Sequence, residues 1–250
     1  GGGTGTGAAP IIAKTAKELG ILTVGIVTTP FSYEGPKRKA QAEDGINALR
    51  NAVDSLLIIS NDKVKEMYGN LPLRQAFGHA DNILTTAAKG IAEIITIGGD
   101  MNVDFEDVKT AMTNSGVAIL GTGIAEGIDR AKSASEMALH SPLLNDNKIK
   151  GAANLLVNIS YGDEEVLMNE VTEITEYFQE AAGMGANLKW GHCYDDKLGA
   201  GLQVTVIATG FEDRYNDFKP HNTQKVVLPL KNEELEEEPK NEVNPQNIEN

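Results

Sequence analysis

Two short, largely apolar strands, each arriving after a helix, most constrain what this chain can fold into. Ile21–Val27 and Ser55–Ile59 follow helical segments at Pro10–Leu19 and from Pro36 to about Asn51. Gly20 falls where a helix-ending glycine belongs. Continuous apolar strands in an αβαβ order imply right-handed crossovers and a parallel sheet. In such a sheet the ligand site lies beyond the carboxyl ends of the strands.

The run Gly1-Gly2-Gly3-Thr4-Gly5-Thr6-Gly7 stands in front of the first helix. Glycines let backbone N–H groups approach an anion with no Cβ in the way. A glycine-rich loop feeding a helix N-terminus is a phosphate site, and Pro10 is tolerated in the first turns of that helix. The run lacks the lysine-bearing P-loop pattern. Gly3-x-Gly5-x-x-Ala8 fits the looser dinucleotide pattern, but the strand after the first helix ends in Thr28-Thr29-Pro30 with no acid for a ribose. Such a loop normally hangs from a strand, so the expectation is a chain that starts inside its nucleotide-binding domain. A flexible glycine linker is the plain alternative.

The net charge of −14 disfavours nucleic acid or an anionic membrane as a direct partner. With 250 residues, 41% of them hydrophobic, the chain can build a core of one large or two modest domains. A single cysteine, Cys193, excludes an intrachain disulfide framework and suits a reducing cytosol. No apolar run reaches the roughly 18 residues of a membrane span.

After Pro72 a long amphipathic helix is predicted, with Leu73, Ala76, Phe77, Ala80, Ile83, Leu84, Ala87, Ile91, Ile94 and Ile95 on one face. Its length suits a helix bridging two subdomains. Beyond it, helices near Phe105–Asn114, Glu126–Leu139 and Glu164–Ala181 alternate with strands near Gly116–Gly121, Asn154–Ser160, Asn187–His192 and Leu202–Ala208. This predicts a second, α+β layer with its own sheet. From Glu212 the hydrophobic rhythm stops, and the acidic run Glu233–Glu238 marks a disordered tail around the apolar island Val226–Leu230. The divisions are therefore 1–70, 71–97, 98–211 and 212–250.

Several polar residues fall where a nucleotide would lie. Glu34 and Arg38 are one helical turn apart, suited to ribose hydroxyls and phosphate, or simply to each other as a local ion pair. Asn61 directly follows the second strand, where an Asx turn is the default. Phe77 and Asp81 share a helix face; a ring can stack on guanine and a carboxylate can accept from its N–H groups, although core packing and a solvated acid explain them singly. Asp104 and Asp107 in the stretch Asn102–Asp107 have the spacing of helix-capping residues.

Taken together these motifs resemble the FtsZ family of bacterial cell-division GTPases in the tubulin superfamily. Gly1–Gly7 matches the family's GGGTGTG signature, and Pro30–Arg38 is similar to its PFxxEGxxR stretch. Asn61-Asp62-Lys63, Ala76–Asp81 and Asn102-x-Asp104-x-x-Asp107 look like its NDK, AFxxAD and NxDxxD motifs, in the same order. The resemblance spans Gly1 to Phe211. It implies the later part of a Rossmann-like GTPase domain in 1–70, a central helix in 71–97, a C-terminal activation domain in 98–211, and an acidic linker.

It also implies roles. Gly1, Gly2, Gly3, Thr4, Gly5, Thr6 and Gly7 would bind the phosphates of GTP. Glu34 and Arg38 would meet the sugar side; Asn61, Phe77 and Asp81 would meet the guanine. Asn102, Asp104 and Asp107 would reach the next subunit's pocket and orient the attacking water, with Mg²⁺ arriving on the nucleotide. A cradle and acids separated by a helix of over ~30 Å join when subunits stack head to tail as a homopolymer. The implied setting is the cytoplasmic mid-cell ring, with membrane anchors and regulators bound through a C-terminal peptide not visible before Asn250. The family's earlier phosphate loops would lie upstream of Gly1, so these residues alone are expected to bind GTP poorly and to be inactive.

Two other classes stay open: a non-hydrolysing tubulin-like cytoskeletal protein and a dinucleotide-dependent oxidoreductase. His192-Cys193, with His79, His140 and His221 scattered, lacks metal-ligand spacing and reads as a half-buried strand end. Trp190 and Met184 read as packing, and the remaining charges as solvated faces.

Overall fold

In the computed structural model, α1 (Ala9–Glu18) leads into β1 (Val24–Thr29), and α2 (Pro36–Arg50) into β2 (Ser55–Ser60). The structure describes residues 2–68, 70–96, 104–141 and 149–211. Pro36 falls in the first turn of its helix, where a missing N–H costs nothing. β1 and β2 are parallel and in register from Val24↔Ser55 to Thr29↔Ser60, as the αβαβ order predicts.

Then come α3 (Asn61–Tyr68), α4 (Leu73–Thr96), α5 (Phe105–Met112), β3 (Gly116–Ala125) and α6 (Arg130–Leu139). β4 (Asn154–Tyr161), α7 (Met168–Ala182), β5 (Asn187–Tyr194) and β6 (Leu202–Thr209) complete the described elements. The strands form one mixed sheet in the order β1-β2-β3-β6-β4-β5.

The expectation of a separate second sheet is corrected by β3. Gly116–Ala118 run parallel to Ser55–Leu57 of β2, and Ile119–Ala125 run antiparallel to β6. β4 pairs antiparallel with β6 and parallel with β5. One ten-residue strand thus belongs to both layers. The sequence suggested a stop at Gly121, but β3 continues because Gly123 faces α6: a Cβ there would lie 2.2 Å from the Ala134 carbonyl oxygen.

Alternation along the strands assigns each face. Leu155, Val157 and Ile159 of β4 and Val204, Val206 and Ala208 of β6 point toward α6 and α7, where they pack with Ala134, Ala138, Ile174 and Phe178. Leu57, Ile59, Leu120, Leu156 and Ile207 form the opposite face, covered by Ala87, Ile91 and Ile94 of α4 and Val108 and Met112 of α5. α4, at 24 residues and roughly 36 Å, lies across both layers.

The reading of charged positions as solvated faces is corrected at three sites. Asp54, Glu93 and Arg130 are buried. Asp54 accepts from the Thr23 N–H at 3.0 Å and pairs with Lys17 at 3.3 Å, tying β2's approach to α1 and β1. Glu93 pairs with Lys89 at 3.0 Å. Arg130 donates to the carbonyls of Glu164, Glu165 and Ala200 and to the Glu170 carboxylate. With the first two carbonyls so engaged, α7 begins at Met168 rather than at the predicted Glu164. Cys193 is buried on β5, its sulfur 3.3 Å from the Ser160 hydroxyl, as packing predicts. The acidic tail and the 226–230 island lie outside the described residues.

Candidate functional site

Because Thr29 and Ser60 are register partners, the segments that follow β1 and β2 emerge side by side. After β1 the chain turns through a single 3₁₀ turn, Ser32–Glu34. Phe31 is buried, and its ring stacks on Tyr33 with centroids 5.0 Å apart. Ser32 donates its N–H to Asp62 Oδ1 at 2.9 Å and its hydroxyl to Asp62 Oδ2, pinning the turn to the first turn of α3. Burial alone would raise the Asp62 carboxyl. The two Ser32 donors and the charges of Lys65 and Lys39 outweigh it and hold the group below the usual carboxylate range.

Glu34 and Arg38 meet as their spacing predicts. Glu34 Oε1 accepts the Phe31 N–H at 2.9 Å, and Oε2 lies 3.5 Å from Arg38 Nε. Arg38 remains half-exposed and lines an open cleft of about 590 Å³ with Gly2, Gly3, Thr6, Gln41, Asp44, Gly45 and Ala48. Packing of the glycine turn on α2 therefore brings the glycine run and the guanidinium to one cleft, although 32 positions separate Thr6 from Arg38.

The glycine run is not the open loop expected from its composition. Thr4–Ala8 form a π-helical turn continuous with α1, and the Thr6 N–H and hydroxyl both donate to the Gly2 carbonyl at 3.0 Å. Once α1 is nucleated, winding adjacent residues adds hydrogen bonds, here against the roughly 0.5–1 kcal/mol that each glycine costs in a helix. The N–H groups of a helix's first turn have no intrahelical partners, so the segment keeps donors for an anion. The turn sits tightly on α2: a Cβ on Gly45 would lie 2.5 Å from Thr6 Cγ2.

Asn61 opens α3, and its amide oxygen is buried without a hydrogen-bond partner. An orphaned acceptor of this kind is costly unless something donates to it. Asp81 is exposed on α4, one turn before Leu84, which packs against the core beneath β1 and β2. Phe77 lies within α4, but its side chain, Gly1 and Asn102 fall outside the described residues.

Asp104 and Asp107 lie beyond the far end of α4, away from the cleft residues in the chain. Asp104 is the N-cap of α5, accepting the Glu106 N–H at 3.3 Å. Asp107 does not cap; it pairs with Lys189 of β5 at 3.4 Å, both groups well exposed. Capping and a role for the carboxylates are compatible, because Asp104 caps through Oδ1 and remains exposed.

Sequence reasoning quoted Asp62 within the NDK-like stretch but gave it no role of its own, although an acid two residues past a strand end was visible. It also missed the Arg130–Glu170 pair, for which no local pattern gives a signal. Among the described residues no three His, Cys, Asp or Glu side chains converge as a metal site. Among them, too, no helix is long and apolar enough to cross a membrane.

Comparison with known proteins adds three findings. The family model of the tubulin/FtsZ family GTPase domain matches residues 1–69, and that of the FtsZ family C-terminal domain matches residues 116–212. The cell division protein FtsZ of Buchnera aphidicola subsp. Baizongia pistaciae (strain Bp) is 46% identical over 247 residues, covering 96% of this chain. This chain spans 64% of that relative's length. Among solved structures, the empty FtsZ dimer of M. jannaschii superposes with a TM-score of 0.79 at 39% identity, over 88% of this chain and 64% of that one. CetZ2 of Haloferax volcanii, in a GTPγS-bound protofilament, shares the fold (TM-score 0.67, 20% identity, 87% of this chain and 65% of that one).

Proposed function

This chain belongs to the FtsZ family, and from that premise we propose that it is part of a GTP-binding, GTP-hydrolysing protein that polymerises in bacterial cell division. The observation that supports this reading is the shared cleft: the glycine turn and Arg38, far apart in sequence, line one opening between the π-helical turn and α2.

In the proposed site, first-turn N–H groups of the Gly1–Gly7 segment and the Arg38 guanidinium hold the phosphates. Glu34, fixed by the Phe31 N–H, accepts from ribose hydroxyls. The unpartnered Asn61 oxygen accepts from the guanine amino group, with Phe77 and Asp81 completing base recognition. Mg²⁺, bound through the nucleotide, supplies charge neutralisation for phosphoryl transfer.

Asn102, Asp104 and Asp107 orient the attacking water in the site of a neighbouring subunit. Supporting this division is the chain order, with roughly 36 Å of α4 between the cleft strands and α5. A cradle on one subunit and acids on the next make a heterologous contact, which propagates as an open filament. The dimeric state of the M. jannaschii relative supports self-association. Turnover then depends on assembly, and these 250 residues alone are proposed to be inactive. The polymer would act as the mid-cell ring, with membrane anchors and regulators as further partners.

Titration of the full-length gene product with labelled GTP against labelled NAD tests the ligand class. GTP binding with NAD excluded is the expected result; preference for NAD would overturn the proposal.

A further inference from the structure

An exposed 3₁₀ turn of three residues holds itself together poorly. Here the internal bonds are Glu34 N–H to the Phe31 carbonyl at 3.0 Å and Gly35 N–H to the Ser32 carbonyl at 3.5 Å. Tyr33 is 60% exposed and Ser32 is exposed as well. Yet this turn carries Glu34, and Glu34 in turn holds Arg38 at the cleft. What anchors it from outside is the buried Phe31 ring and the two-pronged grip of Asp62 on Ser32.

Asp62 is also the residue next to Asn61, whose buried amide oxygen awaits a donor. One carboxylate therefore links the end of β1, with its Glu34 and Arg38, to the end of β2, with its Asn61. The net downward displacement of the Asp62 carboxyl's titration fits a group kept ionised as a double acceptor.

We propose that Asp62 is a positioning residue of the nucleotide site: through Ser32 it fixes the Phe31–Gly35 turn, so that the sugar-side pair Glu34 and Arg38 stands in register with the base-side Asn61. This rests on the nucleotide reading given above. Asp62 itself touches no reacting atom. Its loss lowers affinity by letting the turn wander and leaves the chemical step intact once nucleotide is bound.

The test uses the full-length gene product, fluorescent GTP for affinity and steady-state hydrolysis for KM and kcat. Asp62→Ala should raise both Kd and KM about tenfold, with kcat at saturation within about twofold of the unsubstituted protein. Ser32→Ala, at an exposed position that tolerates the change, should raise Kd about threefold and carries the test even if Asp62→Ala folds poorly. The double variant should bind no worse than Asp62→Ala alone, because both changes break the same link. Unchanged affinity in both single variants, or losses that multiply in the double, would overturn the proposal while leaving the nucleotide site standing. Failure of the unsubstituted protein to bind GTP would overturn the nucleotide reading and this inference with it.

Discussion

Arg130 and Glu170 meet through two parallel hydrogen bonds, Nε to Oε1 at 2.6 Å and Nη2 to Oε2 at 3.0 Å. Arg130 is buried and Glu170 is mostly so, and the guanidinium also donates to three backbone carbonyls. Glu170 accepts the Leu167 N–H at 2.7 Å as well, so the pair fixes the start of α7 against α6. Removing one partner of a buried pair leaves an uncompensated charge. Arg130→Met should cost about 3–5 kcal/mol in chemical denaturation, without altering the residues of the cleft.

The same pair sets an acid limb. Burial alone would raise the Glu170 carboxyl, but Arg130 and the Leu167 N–H prevail and hold it below its ordinary value of 4.5. A folded-state pKa below the unfolded one gives stability that is complete above about pH 4.5 and is lost as pH falls through the folded value. Glu170→Gln, which keeps an acceptor for the Leu167 N–H, should flatten that limb. Denaturation midpoints measured from pH 7 down to acid check it; an unchanged slope contradicts the assignment.

Gly123 is a steric requirement. Added Cβ atoms there would meet the Ala134 carbonyl oxygen at 2.2 Å and the Ala138 nitrogen at 2.6 Å, both backbone and unable to rotate away. Gly123→Ala should therefore destabilise by about 1–3 kcal/mol, read as a lower thermal midpoint, against the small gain an alanine brings by restricting the unfolded chain.

Much of the sheet was legible because its strands alternate cleanly. Val204, Val206 and Ala208 face one core and Ile207 the other, a period no helix would share. Glu34 and Arg38 were legible as neighbours because helical spacing is local. The rest depends on partners distant in sequence. Nothing around Gly121 announces that β3 changes partner halfway, and nothing near Glu164 announces that Arg130 takes its carbonyl. The glycine run misled for a different reason: glycine permits a loop but does not enforce one, and an adjoining helix extended into it.

Gly45 tests the cleft from its other wall. A methyl there would press on Thr6 Cγ2 at 2.5 Å and Thr6 Cβ at 3.1 Å, lifting the glycine turn from α2. Alanine is favoured over glycine inside a helix by about 1 kcal/mol, so global stability should hardly fall. GTP affinity of the full-length gene product should drop about fivefold, an effect of about 1 kcal/mol, and Thr6→Ser in the same chain should recover part of it. Titration calorimetry on the unsubstituted protein and the two variants decides this.

Asp104 caps α5, and its proposed role toward water is a second purpose that one substitution can separate. Asparagine caps a helix as well as aspartate does, so Asp104→Asn should keep α5 and its stability while removing the carboxylate. GTP turnover should fall about a hundredfold or more, while sedimentation still detects polymer. Undiminished turnover would reduce Asp104 to a cap.

The claim on which the account turns is that neither end of a subunit completes the reaction by itself. Its most direct test is the GTPase rate per molecule of the full-length gene product as a function of protein concentration, at saturating GTP and Mg²⁺. The rate per molecule should be close to zero when subunits are dilute and climb steeply once they associate. A rate per molecule that stays constant across the whole range would contradict it.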